Sequence, residues 1–283
     1  MPGPIDLHTH SSVSDGTESP AELVQAAVTA GLGTMGLTDH DTTAGWQEAF
    51  AAASGTGLCV IPGMELSTRF GWKSVHLLAY LIDPLDAGIL LETARIREGR
   101  MSRAEHIVRR ISEDYDLSWE DVLAQTGAGA TIGRPHIADA LVARGLVADR
   151  SAAFESILHP RSGYFEPHYA PDPLDAVRLV VAAGGAPVLA HPGTRTREDV
   201  MPEVKVAALA DAGLFGLEIH HRDNSVAGTK RLFELAEKYD LAITGSSDYH
   251  GVGKPNRLAE NVTTPEVLEK LLSRTTGTQP YYG

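Results

Sequence analysis

The chain has 283 residues, 43% hydrophobic and 22% charged, which suits one globular domain of α/β-barrel size, or such a domain with an insertion. A net charge of −13 argues against a broad nucleic-acid-coating surface, and no apolar run reaches the roughly 18 to 20 residues of a membrane span. The single cysteine, Cys59, excludes an internal disulfide, and the start "MPGPIDLHTH" shows no basic or apolar leader, so a cytoplasmic setting is expected.

In chain order, "PIDLHTH" reads as a strand and "SPAELVQAAVTAGLG" as a helix. Ser19 stands at its N-cap, Pro20 at N1, Glu22 closes a capping box and Gly31 stops it. "TMGLTDHD" is a second strand, "WQEAFAAASG" a helix, and "LCVIPGMELS" and "SVHLLAYLI" two further strands. This rhythm predicts a parallel, buried sheet. From about Leu85 to Tyr169 the pattern is helical, so residues 99–169 are expected as an α-helical insertion and 1–98 with 170–283 as the barrel domain. The alternation then resumes, with strands in "APVLAHPG", "LFGLEIHH" and "LAITGSSDYHG" and a closing helix in "TPEVLEKLLS".

Polar residues collect where these strands end. Strand one carries Asp6, His8 and His10, with Asp15 in the following loop; strand two ends in Asp39, His40 and Asp41. Glu65 ends strand three, and His76 lies in strand four. His191, then Glu218 with His220 and His221, then Asp248 with His250, belong to the last three. Loops at the C-terminal rim of a parallel barrel converge, and buried imidazoles and carboxylates cost several kcal/mol each unless paired or metal-bound. In His8-Thr9-His10 the imidazoles stand at i and i+2, so they project to one side of a strand. Asp248-Tyr249-His250 repeats that spacing. Nine donors without a thiolate (His8, His10, Asp15, His40, Glu65, His76, His191, Asp248 and His250) suit two or three divalent ions such as Mn, Fe or Zn.

The motifs "DLHTHSSVSDGT", "GLTDHDT", "PGMELS", "VHLLAY", "LAHPG", "GLEIHH" and "GSSDYHG" resemble, in order and across the whole chain, the PHP (polymerase and histidinol phosphatase) family of metal-dependent phosphoesterases. The likeness is greatest to stand-alone bacterial members with a helical insert bearing a "GRPHIA" segment, here Gly133 to Ala138. The resemblance implies a distorted (β/α)7 TIM-like barrel and a trinuclear metal site. His8, His10, Glu65 and Asp248 would hold one ion. Glu65 would bridge to a second held by His76 and His191, and Asp15, His40 and His250 would hold the third. It also implies phosphomonoester hydrolysis, foremost of a nucleoside 3′,5′-bisphosphate. The alternatives are a 5′→3′ exonuclease on short RNA or DNA and a histidinol-phosphate-type phosphatase.

Glu65, His191 and Asp248 would form the catalytic set with His220. His220 and His221 face opposite ways on a strand, and one of them, assigned as His220, would protonate the leaving group. Phosphate recognition calls for planar, bidentate cations, which selects Arg134, with His136 beside it, and Arg195. The stretch "RIREGRMSRAEHIVRR" carries six arginines against two glutamates, either a solvated helix face or a basic lip over the site. Trp119 and Tyr164 are the aromatic candidates for base stacking there, too few for a long strand, so the expected partner is a small nucleotide or short oligonucleotide. No membrane or obligate protein partner is expected. An amidohydrolase would also use His-x-His at a barrel strand end, but Glu65 stands where its bridging lysine belongs.

Overall fold

The computed structural model describes residues 3–71, 73–127, 129–193 and 201–283. In chain order its elements begin β1 (Ile5–Thr9), α1 (Pro20–Thr29), β2 (Thr34–Leu37), α2 (Trp46–Ala53), β3 (Cys59–Phe70) and β4 (Lys73–Tyr80). A helical stretch follows, α3 (Ala87–Ile111), α4 (Trp119–Leu123), α5 (Arg134–Ala143) and α6 (Arg150–Glu155). Alternation resumes with α7 (Pro173–Ala182), β5 (Ala186–Leu189), α8 (Glu203–Asp211), β6 (Gly216–His220), α9 (Val226–Lys238), β7 (Ala242–Gly245), α10 (Pro265–Arg274) and β8 (Tyr281–Tyr282). None of the described helices is long and apolar enough to cross a membrane.

The strands lie side by side in the order β1 to β7, and β8 pairs with the start of β3. The sheet nearly closes on itself. Beyond β7, Tyr249 bridges Thr9 in parallel, and its carbonyl accepts a hydrogen bond from His10 N at 2.9 Å. The result is a seven-stranded TIM-like barrel. Adjacent backbones come close enough at β1 and β2 that Gly36 has no room for a Cβ, which would collide with the Leu7 carbonyl.

One departure from the expected parallel sheet shapes the site. β4 runs antiparallel to both β3 and β5. Phe70 pairs with Lys73, and Gly71 takes a positive φ of 60°, so the connection is a hairpin too short for a parallel crossover. β3 therefore does not end at Glu65 but continues to Phe70. His76, near the start of β4, then pairs with Ser67 and lies at the same end of the barrel as Glu65.

Packing divides into three apolar clusters. The largest joins strand residues such as Met35, Leu66 and Leu217 to Leu23, Ala49, Val177 and Leu235 of the surrounding helices. A second gathers Ile5, Cys59, Ala186 and Ala242, at the N-terminal ends of parallel strands, with Tyr80 at the end of the antiparallel one. These residues fill the end of the barrel opposite the histidines. The third, built from Ile107, Ile111, Val122, Ile137 and Leu141, joins α3, α4 and α5. Helix α3 serves both bodies, burying Ile89 and Ile96 in the first cluster and Ala104 and Val108 in the third.

Candidate metal centre

β1 presents the two imidazoles of His8 and His10 to one side, with Nε2 atoms 3.0 Å apart. Facing them is Glu65. Its Oε2 lies 3.1 Å from His10 Nε2, 3.3 Å from His8 Nε2 and 3.3 Å from His40 Nδ1. Its other oxygen, Oε1, lies 2.7 Å from His76 Nδ1 and 3.3 Å from His191 Nε2. Asp248 brings Oδ1 to 3.4 Å from both His8 and His10 Nε2. Asp15 Oδ1 lies 3.2 Å from His250 Nε2, and its Oδ2 3.6 Å from His40 Nε2.

Four overlapping groups result among the described residues, each with its ligand atoms within 4.8 Å of one another: His8, His10, Glu65 and Asp248; His10, Asp15, His40 and His250; His40, Glu65 and His76; and His221, Asp223 and Asp248. The donor set fits divalent cations. His8 and His10 turn nitrogen against nitrogen at 3.0 Å, an arrangement that a proton bridges in the absence of metal and that a shared cation would satisfy. Asp248 Oδ1, His40 Nδ1 and His250 Nε2 are buried without hydrogen-bond partners, which is costly unless something else satisfies them.

A ring of buried polar contacts fixes these groups. Glu218 Oε1 accepts from His8 Nδ1 at 2.9 Å, which places the His8 lone pair on Nε2, and Glu218 Oε2 accepts from His191 N at 2.8 Å. Asp39 accepts from Ser11 N at 2.8 Å and from the Ser11 and Ser14 hydroxyls at 2.6 Å each. Asp6 accepts from Ser247 N and Ala259 N at 3.0 Å each. Asp41 accepts from Ser67 N at 2.7 Å and Arg100 Nε at 2.8 Å. Asp41, His191 and Asp248 all have positive φ (55°, 31° and 55°), so backbone strain is concentrated at the strand ends that deliver the site.

The charges are strongly coupled. Burial opposes ionisation of Glu65, but His76, His40 and His8 hold its carboxyl well below the usual range. Burial likewise disfavours charge on His10, yet the carboxylates of Asp248 and Glu65 beside its Nε2 prevail and keep its pKa at about 9. Asp6 shows the opposite balance, burial raising it to about 6 against the N–H groups it accepts from.

Residues 6–159 match the family described as the PHP domain. The chain belongs to the PHP domain family. This PHP domain is 32% identical over 89% of its length to a Chromobacterium violaceum protein named 3′,5′-nucleoside bisphosphate phosphatase, covering 89% of that protein. It is 32% identical over 87% of its length to an Eggerthella lenta phosphoribosyl 1,2-cyclic phosphate 1,2-diphosphodiesterase (94% of that protein) and to a Salmonella typhimurium 5′-3′ exoribonuclease (84%). A solved structure from Bifidobacterium adolescentis, described as a metal-dependent phosphoesterase, matches with a TM-score of 0.94 at 40% identity over 98% of each chain. This PHP domain is a metal-dependent phosphoesterase, a hydrolase with side-chain clusters able to bind metal ions.

The structure brings His8, His10, Asp15, His40, Glu65, His76, Asp248 and His250 together, and His191 reaches the set through Glu65. It does not bring in His220. That ring is exposed and packs edge-on against Phe233, because the bulge in the β6–β7 register turns it outward and its neighbour inward. His221 is the buried one, with Nε2 at 3.8 Å from Asp248 Oδ2 and Nδ1 accepting from Asp223 N at 3.1 Å. Arg134 stacks over Phe154 and Phe165, and His136 is buried with Nδ1 accepting from Gly133 N at 3.0 Å. Arg195 lies outside the described residues. Trp119 and Tyr164 pack against the cluster that joins α3, α4 and α5 and are not among the metal groups. Lys254, unmarked by any motif, places Nζ 2.8 Å from Asp248 Oδ2.

Proposed function

We propose that the chain hydrolyses the phosphomonoester of a small phosphorylated metabolite, with a nucleoside 3′,5′-bisphosphate, giving nucleoside 5′-monophosphate and phosphate, as the leading substrate. The observation that carries this reading is the divided carboxylate of Glu65, with one oxygen on the His8–His10 side and the other on the His76–His191 side. His8, His10, Glu65 and Asp248 would hold one ion, and Glu65, His76 and His191 a second. Asp15, His40 and His250 would hold a third, with Mn, Fe or Zn each compatible with the nitrogen and oxygen donors. When bound, such ions supply Lewis acidity toward phosphoryl oxygens and acidify water.

The protein's own groups do the rest. Glu218 keeps the proton of His8 on Nδ1, so Nε2 stays available as a ligand atom. Lys254 engages one oxygen of Asp248 and leaves the other facing His8 and His10. His221, whose Nδ1 accepts a backbone N–H, holds its proton on Nε2, directed toward the Asp248 side of the site. That placement suits a hydrogen bond from Nε2–H to the departing oxygen, which takes its proton from solvent water. Beside the third metal group opens a cleft of about 310 Å³ lined by Asp15, Pro135, Arg150, Phe154, His250 and Lys254, of a size and mixed polarity suited to a nucleoside.

The helical insert favours a small substrate over a strand. Arg100 ties α3 to Asp41 at 2.8 Å, and Arg150 of α6 donates to the Asp15 carbonyl at 3.0 Å, so the insert is fastened at two points over the mouth. The exonuclease reading draws on the Salmonella relative's name and needs this groove to admit a chain. Phosphate release from a nucleoside 3′,5′-bisphosphate, measured beside a 5′-phosphorylated oligonucleotide with Mn supplied, separates the two. Faster turnover of the bisphosphate supports the proposal, and exclusive turnover of the oligonucleotide overturns it.

A further inference from the structure

Two cavities open between the barrel and the helical stretch, and Arg150 lines both of them. One is the cleft of about 310 Å³ already described, which reaches the metal donors Asp15 and His250. The other, of about 400 Å³, touches none of the nine donors. Its walls come from Thr17 in the loop after β1, Gln125 beyond α4, and His136, Val142 and Ala143 of α5. Hydroxyl, amide and apolar surfaces alternate there, and the volume is that of a second nucleoside. The proposed reaction uses one nucleoside, so this second cavity has no part in it.

Arg150 is held from three sides where the cavities meet. Its Nε and Nη2 donate to the two oxygens of Asp139 on α5, at 2.5 and 2.6 Å, a bidentate pair that fixes the plane of the guanidinium. Nη1 donates to the Asp15 carbonyl, in the loop after β1, at 3.0 Å. The loop after β7 closes the third side, since a Cβ at Gly253 would collide with Nη1. Only 13% of the side chain is exposed, so the guanidinium fills the space between these segments. A planar group fastened at both edges cannot swing aside without breaking charge-assisted hydrogen bonds, which makes it a bar and not a loose flap.

We infer that Arg150, locked by Asp139, sets the length of the substrate at one nucleoside by closing the cleft off from a second nucleoside-sized cavity. This deepens the proposed function and rests on it in reading the cleft as the nucleoside site. With the bar in place, a nucleotide chain that enters the cleft finds no room for its next unit and leaves that unit in solvent. With the bar removed, the two cavities join and the next unit gains a seat between α5 and the loop after β1. Specificity of this kind comes from obstruction of the longer ligand, not from extra affinity for the shorter one.

Calorimetry on the Mn-loaded protein tests this without turnover. The probes are a nucleoside 5′-monophosphate and a 5′-phosphorylated dinucleotide with an uncleavable phosphonate linkage, and the readout is the ratio of their Kd values. The wild type should bind the two alike. Arg150→Ala should bind the dinucleotide about tenfold tighter than the mononucleotide, because a second base is then buried. Asp139→Asn, which keeps the arginine but loosens it, should move the ratio the same way by about threefold, and it serves if Arg150→Ala does not fold. Adding Ala143→Trp, which fills the second cavity, should abolish the gain. A ratio unmoved in both variants, a gain that survives Ala143→Trp, or a wild type that already prefers the dinucleotide would overturn the inference. If the ratio shifts as expected but the wild type releases no phosphate from a nucleoside 3′,5′-bisphosphate, the bar stands and the proposed reaction falls.

Discussion

Lys254 Nζ lies 2.8 Å from Asp248 Oδ2, while Asp248 Oδ1 points at His8 and His10, 3.4 Å from the Nε2 of each. The lysine thereby engages one carboxylate oxygen and leaves the other directed at the histidine pair. Burial opposes the charge of Asp248, but Lys254 and His250 hold its carboxyl well below the usual range. Lys254→Met is therefore expected to lower metal retention about tenfold, the cost typical of losing a group that orients a ligand. Competition against a chelator measures this, and retention equal to wild type would remove Lys254 from the account.

Glu218 makes a parallel case with a different readout. It accepts from His8 Nδ1 and His191 N, and although burial opposes its charge, His8 and His221 bring its pKa down to about 2. Gln at this position would turn an amide N–H toward one of those donors. Glu218→Gln should cost about 10- to 100-fold in metal affinity and in kcat/KM together. A loss in kcat/KM with metal content intact would give Glu218 a different role.

His221 and His220 are neighbours with opposite fates, which a pair of variants can separate. His221→Asn should lower kcat about 10²- to 10³-fold on a nucleotide, as expected for loss of a hydrogen bond to the departing oxygen, and much less on a nitrophenyl phosphate whose leaving group needs little stabilisation. His220→Asn, at an exposed ring against Phe233, should leave both rates unchanged. Equal losses on the two substrates would make His221 structural.

Metal uptake should depend on pH through His10. In the metal-free protein its pKa is about 9 against an ordinary 6.5, because its carboxylate contacts outweigh burial. A raised imidazole pKa stabilises the metal-free fold fully below pH 6.5, and that contribution is lost as pH rises through about 9. Binding must expel this proton, so apparent metal affinity should climb about tenfold per pH unit across the window and then level. Calorimetry near pH 7.5 in buffers of different ionisation enthalpy should count at least one proton released per His10-bound ion. Release of none would place His10 outside the ligand set.

Much of this site was legible in the sequence because strand geometry is simple. His8 and His10 at i, i+2 had to share a side, and the Ser19–Glu22 capping box, present in α1, fixed the first helix start. The direction of β4 was not legible. Apolar composition marks a strand as buried but says nothing of which way it runs, and the short hairpin through Gly71 decided it. The arginines of α3 read as either a solvated face or a basic lip, although Arg97 with Arg100, and Arg100 with Arg103, stand three residues apart and so neighbour each other on the helix. That spacing was the available signal for the burial of Arg100 against Asp41 and of Arg103 against His168. For Lys254 there was none, since its partnership with Asp248 depends on the path of the loop after β7. The His220–His221 pair could not be ordered from alternation, because the register shift in β6 reverses the expected facing.

The proposed function requires Glu65 to join two sets of histidines into one metal cage. Anomalous diffraction from crystals of the protein grown with Mn measures this most directly. At least two Mn peaks are expected to flank the Glu65 carboxylate, one against His8, His10 and Asp248 and the other against His76 and His191, and to be lost in Glu65→Ala crystals. Mn bound elsewhere, or no peak at Glu65 in protein that still hydrolyses phosphate esters, would contradict it.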